Sequence, residues 1–307
     1  MRVLVTGGAG FIGSHIVECF SDQKDVNIRV IDNLRTGFKH NIESFDVEFI
    51  ESSITDRAAV KKAMQGVDYV FHLAALISVP ESMEIPLECA DINVNGTLTV
   101  LQEAAEAGVK KLCFSSSAAI YGNNPEIKKR EMMFPEPKSP YAVTKLDGEY
   151  YCKIFTDHGW LQTACLRYFN VFGPRQDPKS QYAAAVPIFI DRAVKNETIT
   201  IFGDGEQTRD FIYVKAIVDA NVFLAVNSEF TGVYNLAYGN SISINELAIK
   251  IAGFVGSDST IEHADERAGD VKHSKADVSN ILATGFRPTC NFEEGLAATI
   301  KFFKNQA

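Results

Sequence analysis

Met1-Arg2-Val3-Leu4-Val5-Thr6-Gly7-Gly8-Ala9-Gly10-Phe11-Ile12-Gly13-Ser14 decides how the rest of the chain is read. Val3 to Val5 is an apolar run long enough for one buried strand. Gly7, Gly8, Gly10 and Gly13 follow at once, and Phe11, Ile12, Ile16, Val17 and Phe20 then recur at helical spacing. Strand, glycine turn and helix in this order are the context that a dinucleotide-binding glycine motif needs. Gly8, Gly10 and Gly13 satisfy G-x-G-x-x-G, and Gly7, Gly10 and Gly13 satisfy G-x-x-G-x-x-G. Without side chains the backbone turns sharply and approaches a pyrophosphate, whose charge sits on the N–H groups at the helix start.

Working outward, a second strand from Asn27 to Ile31 ends at Asp32, about twenty residues past the glycines, where a carboxylate can bond a ribose hydroxyl. Asn33-Leu34-Arg35-Thr36-Gly37 is a polar loop placed to wrap the adenosine end of a cofactor. Arg35 could meet a 2′-phosphate, but Asp32 would repel one, so NAD is expected over NADP.

Further strands are read at Val47 to Ile50, Val67 to Leu73, Lys111 to Ser115 and Thr163 to Tyr168, with helices at 55–65, 86–107 and 140–157 between them. This alternation predicts a doubly wound parallel α/β sheet with ligand along the carboxyl ends of its strands. His72-Leu73-Ala74-Ala75 and Ser115-Ser116-Ser117 stand at two of those ends. The proline-rich stretch 121–139 is too irregular for an element. After Tyr168 the rhythm loosens. A nucleotide-binding domain is therefore expected over 1–168, with a return at about 212–236, and a smaller lobe over 169–307. Helices are expected in that lobe near 186–195 and 291–304, with a strand at Ile199 to Phe202; a helix at 215–226 and a strand at Val233 to Leu236 form the return, and the remainder is read as polar loops.

The chain has 307 residues and a formal charge of −9, which argues against broad nucleic-acid binding but leaves a phosphate-bearing small ligand compatible. No signal-like stretch precedes the first strand, and no apolar run is long enough to span a bilayer. Cys19, Cys89, Cys113, Cys152, Cys165 and Cys290 are scattered, without a C-x-x-C pair. Reduced cysteines, no metal site, no membrane partner and a cytoplasmic location are the expectations.

Tyr141 and Lys145 lie one helical turn apart, so both side chains share a face. A phenol titrates near about 10, too high for a base at neutral pH. A neighbouring lysine and a positively charged nicotinamide are expected to pull it down. Ser117 could share the proton with Tyr141 and a substrate hydroxyl, which suits general acid–base catalysis.

These stretches, with Asn93 to Thr97, Arg167 to Arg175, Gly203 to Val214 and Arg267 to Asp270, resemble the extended short-chain dehydrogenase/reductase family, and within it the UDP-sugar 4-epimerases. The resemblance covers essentially the full length. It implies bound NAD and a catalytic set of Ser117, Tyr141 and Lys145. It implies cofactor contacts from Gly7, Gly10, Phe11, Ile12, Gly13, Asp32, Asn33, Leu34, Thr36, Gly37, Ser53 and Ile54, and from Leu73, Ala74, Ala75, Asn93, Ser115, Tyr141, Lys145 and Phe169. For a UDP-sugar it implies Ser117, Tyr141, Asn170, Val186, Thr200, Phe202 beside the uracil, Arg209 and Arg267 on the phosphates, Asp270 near the ribose, and Ser274. It further implies a homodimer through the helices 86–107 and 140–157, whose apolar residues Val100, Leu101, Tyr150, Tyr151 and Ile154 read as exposed.

Three positions depart from the family pattern. Ser52-Ser53-Ile54 stands where Gly-Asp-Ile is usual, and Tyr213-Val214-Lys215-Ala216 lacks the usual final Asp. Ser274 stands where the family walls the sugar's C2 substituent, and its small side chain implies room for an N-acetyl group. Relatives that dehydrate or decarboxylate nucleotide sugars carry an acid just after the Ser/Thr of the fifth strand. Here Ser117 is followed by Ala118-Ala119-Ile120-Tyr121-Gly122. Epimerisation of a UDP-hexose is the expected reaction. A dehydratase, decarboxylase or reductase of the same fold is the other reading, and a non-catalytic nucleotide sensor would typically lack Tyr141 or Lys145.

Overall fold

The computed structural model describes residues 1–178, 184–266 and 272–306. Its centre is a seven-stranded sheet in the spatial order Gly232–Leu236, Gln162–Tyr168, Lys111–Ser117, Tyr69–His72, Arg2–Thr6, Asn27–Asp32, Val47–Glu51, with every pairing parallel. The expected doubly wound sheet is present. Alternation along the first strand puts Val3 and Val5 into one apolar layer and Leu4 into the other. Burial on both faces explains why these strands read as continuous apolar runs.

On one face the helices Phe11–Ser21 and Val214–Val226 pack through Ile16, Val17, Phe20, Ile217 and Leu224. On the other, Val60, Val100, Leu101 and Ala104 join Leu4, Val70, Leu112 and Phe114. Val100 and Leu101 are thus core residues of the monomer, 0% exposed, which corrects their assignment to an exposed dimer face. Tyr150 and Ile154 are exposed.

A third core gathers Phe172, Phe189, Ile190, Leu247, Ile251, Leu296 and Ile300 from the helices Ala185–Val194, Ile244–Val255 and Phe292–Lys304. The helix Ile244–Val255 corrects the reading of that region as loops. Its start carries a capping box between Ser243 and Glu246, and Ile244, Leu247, Ala248 and Ile251 keep one face. A short helix, Val79–Glu84, was also unforeseen. The stretch 121–139 holds a two-residue strand, Lys128–Lys129, paired with Lys275–Ala276. No helix among the described residues is long and apolar enough to cross a membrane.

Candidate active site

The glycine turn is crowded on its inner side. Gly7 has φ +71°, and a Cβ there would stand 2.8 Å from the Ala74 nitrogen. At Gly13 a Cβ would stand 2.1 Å from the Gly7 carbonyl oxygen, so both positions exclude any side chain. Gly8 serves a different end, because a Cβ there would strike Val30 at 2.7 Å. The helix Phe11–Ser21 begins at Gly10 without a side-chain cap, leaving its first N–H groups for an anion. Asp32 is buried, and its carboxylate accepts from Ala9 N at 3.0 Å and Leu34 N at 2.8 Å. Burial raises its pKa. Each oxygen keeps a further acceptor site for a ribose hydroxyl. The cradle therefore fits a dinucleotide.

Leu34 adopts a left-handed conformation, φ 58°, that turns the following loop. Gly37 packs on Ala9, while Asn33 accepts from Arg35 N at 3.1 Å and Thr36 is exposed. The Arg35 side chain is engaged by Glu81 at 2.9 Å and by Glu88, so both its charge and its position belong to that ion pair rather than to a 2′-phosphate. Ser53 accepts from Thr55 N, and Asp56 caps the helix Arg57–Ala63. Ile54 is a core residue, 3% exposed, whose side chain fills the space beside Gly96. A cofactor contact from Ile54 would thus have to come from its backbone.

Catalytic chemistry gathers where the strand Lys111–Ser117 meets the helix Pro140–Asp157. Ser139 caps that helix by accepting from Ala142 N, with Pro140 in its first turn. Ser117 accepts from Ala119 N at 3.1 Å and hydrogen-bonds the Tyr141 phenol. Lys145 Nζ donates to the Ser115 carbonyl at 2.8 Å and lies 5.8 Å from the Tyr141 ring centroid and 5.0 Å from that of Phe114. Burial raises Tyr141 above its ordinary value, opposed by the Ser117 hydrogen bond. Burial also lowers Lys145 to about 8. In both groups desolvation, which disfavours the charged form, is the largest cause of the shift.

Beyond the helix lies a cavity of about 600 Å³ lined by Asn170, Val186, Thr200, Phe202 and Arg209. Ala184, Ala185, Arg192 and Gln207 line it too. Arg209 donates to the Thr208 carbonyl at 3.0 Å, and Gln207 Nε2 donates to that of Phe202 at 2.7 Å. Arg267 and Asp270 lie outside the described residues. Ser274 is half-buried and is not in the cavity's lining; its N–H donates to the Thr208 carbonyl at 3.1 Å, one residue from Arg209.

Residues 3–237 match the NAD dependent epimerase/dehydratase family. The chain belongs to this family. A putative UDP-glucose 4-epimerase of Methanocaldococcus jannaschii is 37% identical over 305 residues, 99% of this chain and 98% of that protein. The fold is similar to that of a UDP-N-acetylglucosamine 4-epimerase from Methanobrevibacter ruminantium in complex with UDP-N-acetylmuramic acid, at TM-score 0.95 and 44% identity over 100% of this chain and 99% of that one. It is similar also to a Thermus thermophilus UDP-glucose 4-epimerase in complex with NAD, at TM-score 0.91 and 36% identity, with 100% of both chains covered. The chain is an NAD-dependent enzyme of the isomerase class.

Three features give named residues of this family member roles that their place in the sequence does not show. Thr6 Oγ1 accepts from Leu73 N and Ala74 N, so its own proton goes to His72 Nδ1 at 2.7 Å. That leaves His72 Nε2–H donating to Thr97 at 3.0 Å. Burial lowers His72 to about 3, which keeps it neutral in this role. It thereby holds the Leu73-Ala74-Ala75 turn to the first strand. The second feature is a π-helical segment, Asp91–Asn95, inside the long helix. It presses Asn93 inward, where its amide accepts from Leu76 N at 2.7 Å and donates to Leu76 O and Thr144 Oγ1, both at 3.0 Å. Thr144 in turn donates to the Tyr141 carbonyl at 2.8 Å. Asn93 so acts between the turn and the Tyr141 helix. The third is Phe169, buried beside Tyr121, Met133 and Ala276 rather than standing alone at the strand end. In the sequence, His72 only marks the end of an apolar run, and Asn93 has no partner until Leu76 and Thr144 are brought beside it.

Proposed function

We propose that this enzyme interconverts the C4 epimers of a UDP-hexose, with UDP-glucose and UDP-galactose as first choice. The observation that carries the reading is the half-buried Tyr141 beside Ser117, at a strand end whose next residues, Ala118 to Tyr121, supply no carboxylate. Elimination or decarboxylation in this family would lack its acid there. Tyr141 takes the proton of the sugar 4-hydroxyl, and Ser117 hydrogen-bonds the same oxygen. NAD, when bound, would supply a reversible hydride acceptor for C4 and a positive ring that favours the phenolate. In this proposal the region 169–307 forms the substrate lobe, with Arg209 and Asn170 at the diphosphate and Phe202 at the uracil. An anchored UDP lets the flat 4-keto sugar turn over before reduction on its opposite face. Incubation with UDP-glucose, UDP-galactose and their N-acetyl forms, without added NAD, followed by chromatography, tests this. A dehydrated or decarboxylated product would overturn it.

Ser274 sets the expected tolerance for an N-acetyl group at C2. Ser274→Tyr is expected to suppress turnover of UDP-N-acetylglucosamine at least about tenfold, the range of steric discrimination by one pocket wall, and to spare UDP-galactose. Equal loss on both sugars would show that Ser274 is not the gate.

Assembly as a homodimer belongs to the same proposal. Leu87, Val143, Tyr150 and Ile154 are 86%, 45%, 54% and 43% exposed on the two helices concerned. Light scattering at micromolar concentration is expected to give twice the chain mass; a single-chain mass would exclude the dimer.

A further inference from the structure

Four segments far apart in sequence meet at Asp210, which is 0% exposed. Residues 208 and 272–274 start a parallel ladder: Thr208 N donates to Lys272 O at 2.9 Å, and Ser274 N donates to Thr208 O at 3.1 Å. The next rung would need the Asp210 carbonyl. That carbonyl is already taken, because Asn170 N and Nδ2 both donate to it, at 3.2 and 3.1 Å. The side chain fills the rung instead: Ala276 N donates to Asp210 Oδ2 at 3.1 Å. The other oxygen, Oδ1, accepts from Tyr238 N at 3.2 Å, just beyond the sheet strand Gly232–Leu236.

Withdrawing a carboxylate from water is costly, and burial raises this one to about 7 against the backbone donors and Lys275 that pull it down. A carbonyl would complete an ordinary ladder at lower cost. What the carboxylate adds is two acceptors aimed at two different segments, so one residue sets the position of Asn170, Arg209 and Ser274 together.

We infer that Asp210 is the positioning residue that holds the substrate-facing segments 170, 209 and 274 in register, and so tunes affinity for the nucleotide part of the substrate. This rests on the proposed UDP-sugar site. Asp210→Asn keeps the volume but leaves an NH₂ group facing either Ala276 N or Tyr238 N. A buried donor left facing another donor costs on the order of tenfold, and the segments that Asp210 bonds must shift to relieve it. The expected result is a rise of about tenfold in the Kd for UDP by calorimetry and in KM for UDP-galactose. kcat should stay within about twofold, and bound NAD should be unchanged.

A lowered Tm with UDP affinity and KM unchanged would make Asp210 merely structural and overturn the inference. If Asp210→Asn does not fold, hydrogen exchange on the wild type decides. UDP should slow exchange in peptides covering 272–276 and 236–239, and unchanged exchange there would overturn the role. Wild-type protein that binds UDP but epimerises no UDP-hexose would overturn the reaction and leave the UDP comparison to decide Asp210.

Discussion

Tyr141→Phe is expected to lower turnover about a hundred- to ten-thousandfold, the contribution of a positioned acid–base group, while fold and bound NAD persist. Only one oxygen is removed, from a phenol beside Ser117 with Lys145 Nζ 5.8 Å from its ring centroid. The helix that carries it keeps its Ser139 cap and its Thr144 anchor to the 141 carbonyl, so the substitution has no route to the backbone. Burial raises the phenol, which means that it holds its proton until substrate and cofactor favour release. Ser117 and Lys145 remain in the variant, and residual activity measures what they do alone. Circular dichroism and the cofactor content of purified protein check the fold. Near-normal kcat with UDP-galactose would remove Tyr141 from the chemistry.

Glu149→Gln is expected to destabilise the protein by about 3–5 kcal/mol, the range for breaking one side of a buried ion pair. Glu149 and Arg167 are 4% and 6% exposed at their side chains. Arg167 grips both carboxylate oxygens, Nε to Oε1 at 2.8 Å and NH2 to Oε2 at 2.6 Å, while Ser116 donates to Oε1 at 2.5 Å. Its guanidinium also lies 4.9 Å from the Tyr121 ring centroid. An amide turns one acceptor into a donor facing NH2 and leaves the guanidinium buried without its counter-charge. The pair sits beneath the strand end that carries Ser117, so activity at low temperature should fall less than stability. Urea unfolding measures the loss. The double variant Glu149→Leu with Arg167→Met should regain most of it, since an apolar pair of similar volume has no stranded charge. A loss below about 1 kcal/mol in Glu149→Gln would place the pair among weakly coupled ion pairs.

The sequence by itself determined the parallel sheet, the glycine cradle and the shared face of Tyr141 and Lys145. All three follow from spacing along the chain: short apolar runs such as Val3-Leu4-Val5 alternating with helical stretches, glycines three apart, and side chains one turn apart. The helix Ile244–Val255 was equally legible, in its capping box and its one-sided apolar residues, yet polar neighbours obscured it. Tertiary structure alone decided the rest. Val100 and Leu101 look like surface residues until the helix Arg57–Ala63 and the sheet are packed beside them. The phenol's surroundings, which raise it by burial, and the Ser115 carbonyl that holds Lys145 are likewise set by packing. Asp210 becomes a junction only when residues 40 and 66 positions away arrive at its carbonyl and its carboxylate. Local periodicity is a property of neighbouring residues and is written in their order. Desolvation and long-range hydrogen bonds depend on which distant segments share a space, and that is settled only when the chain closes on itself.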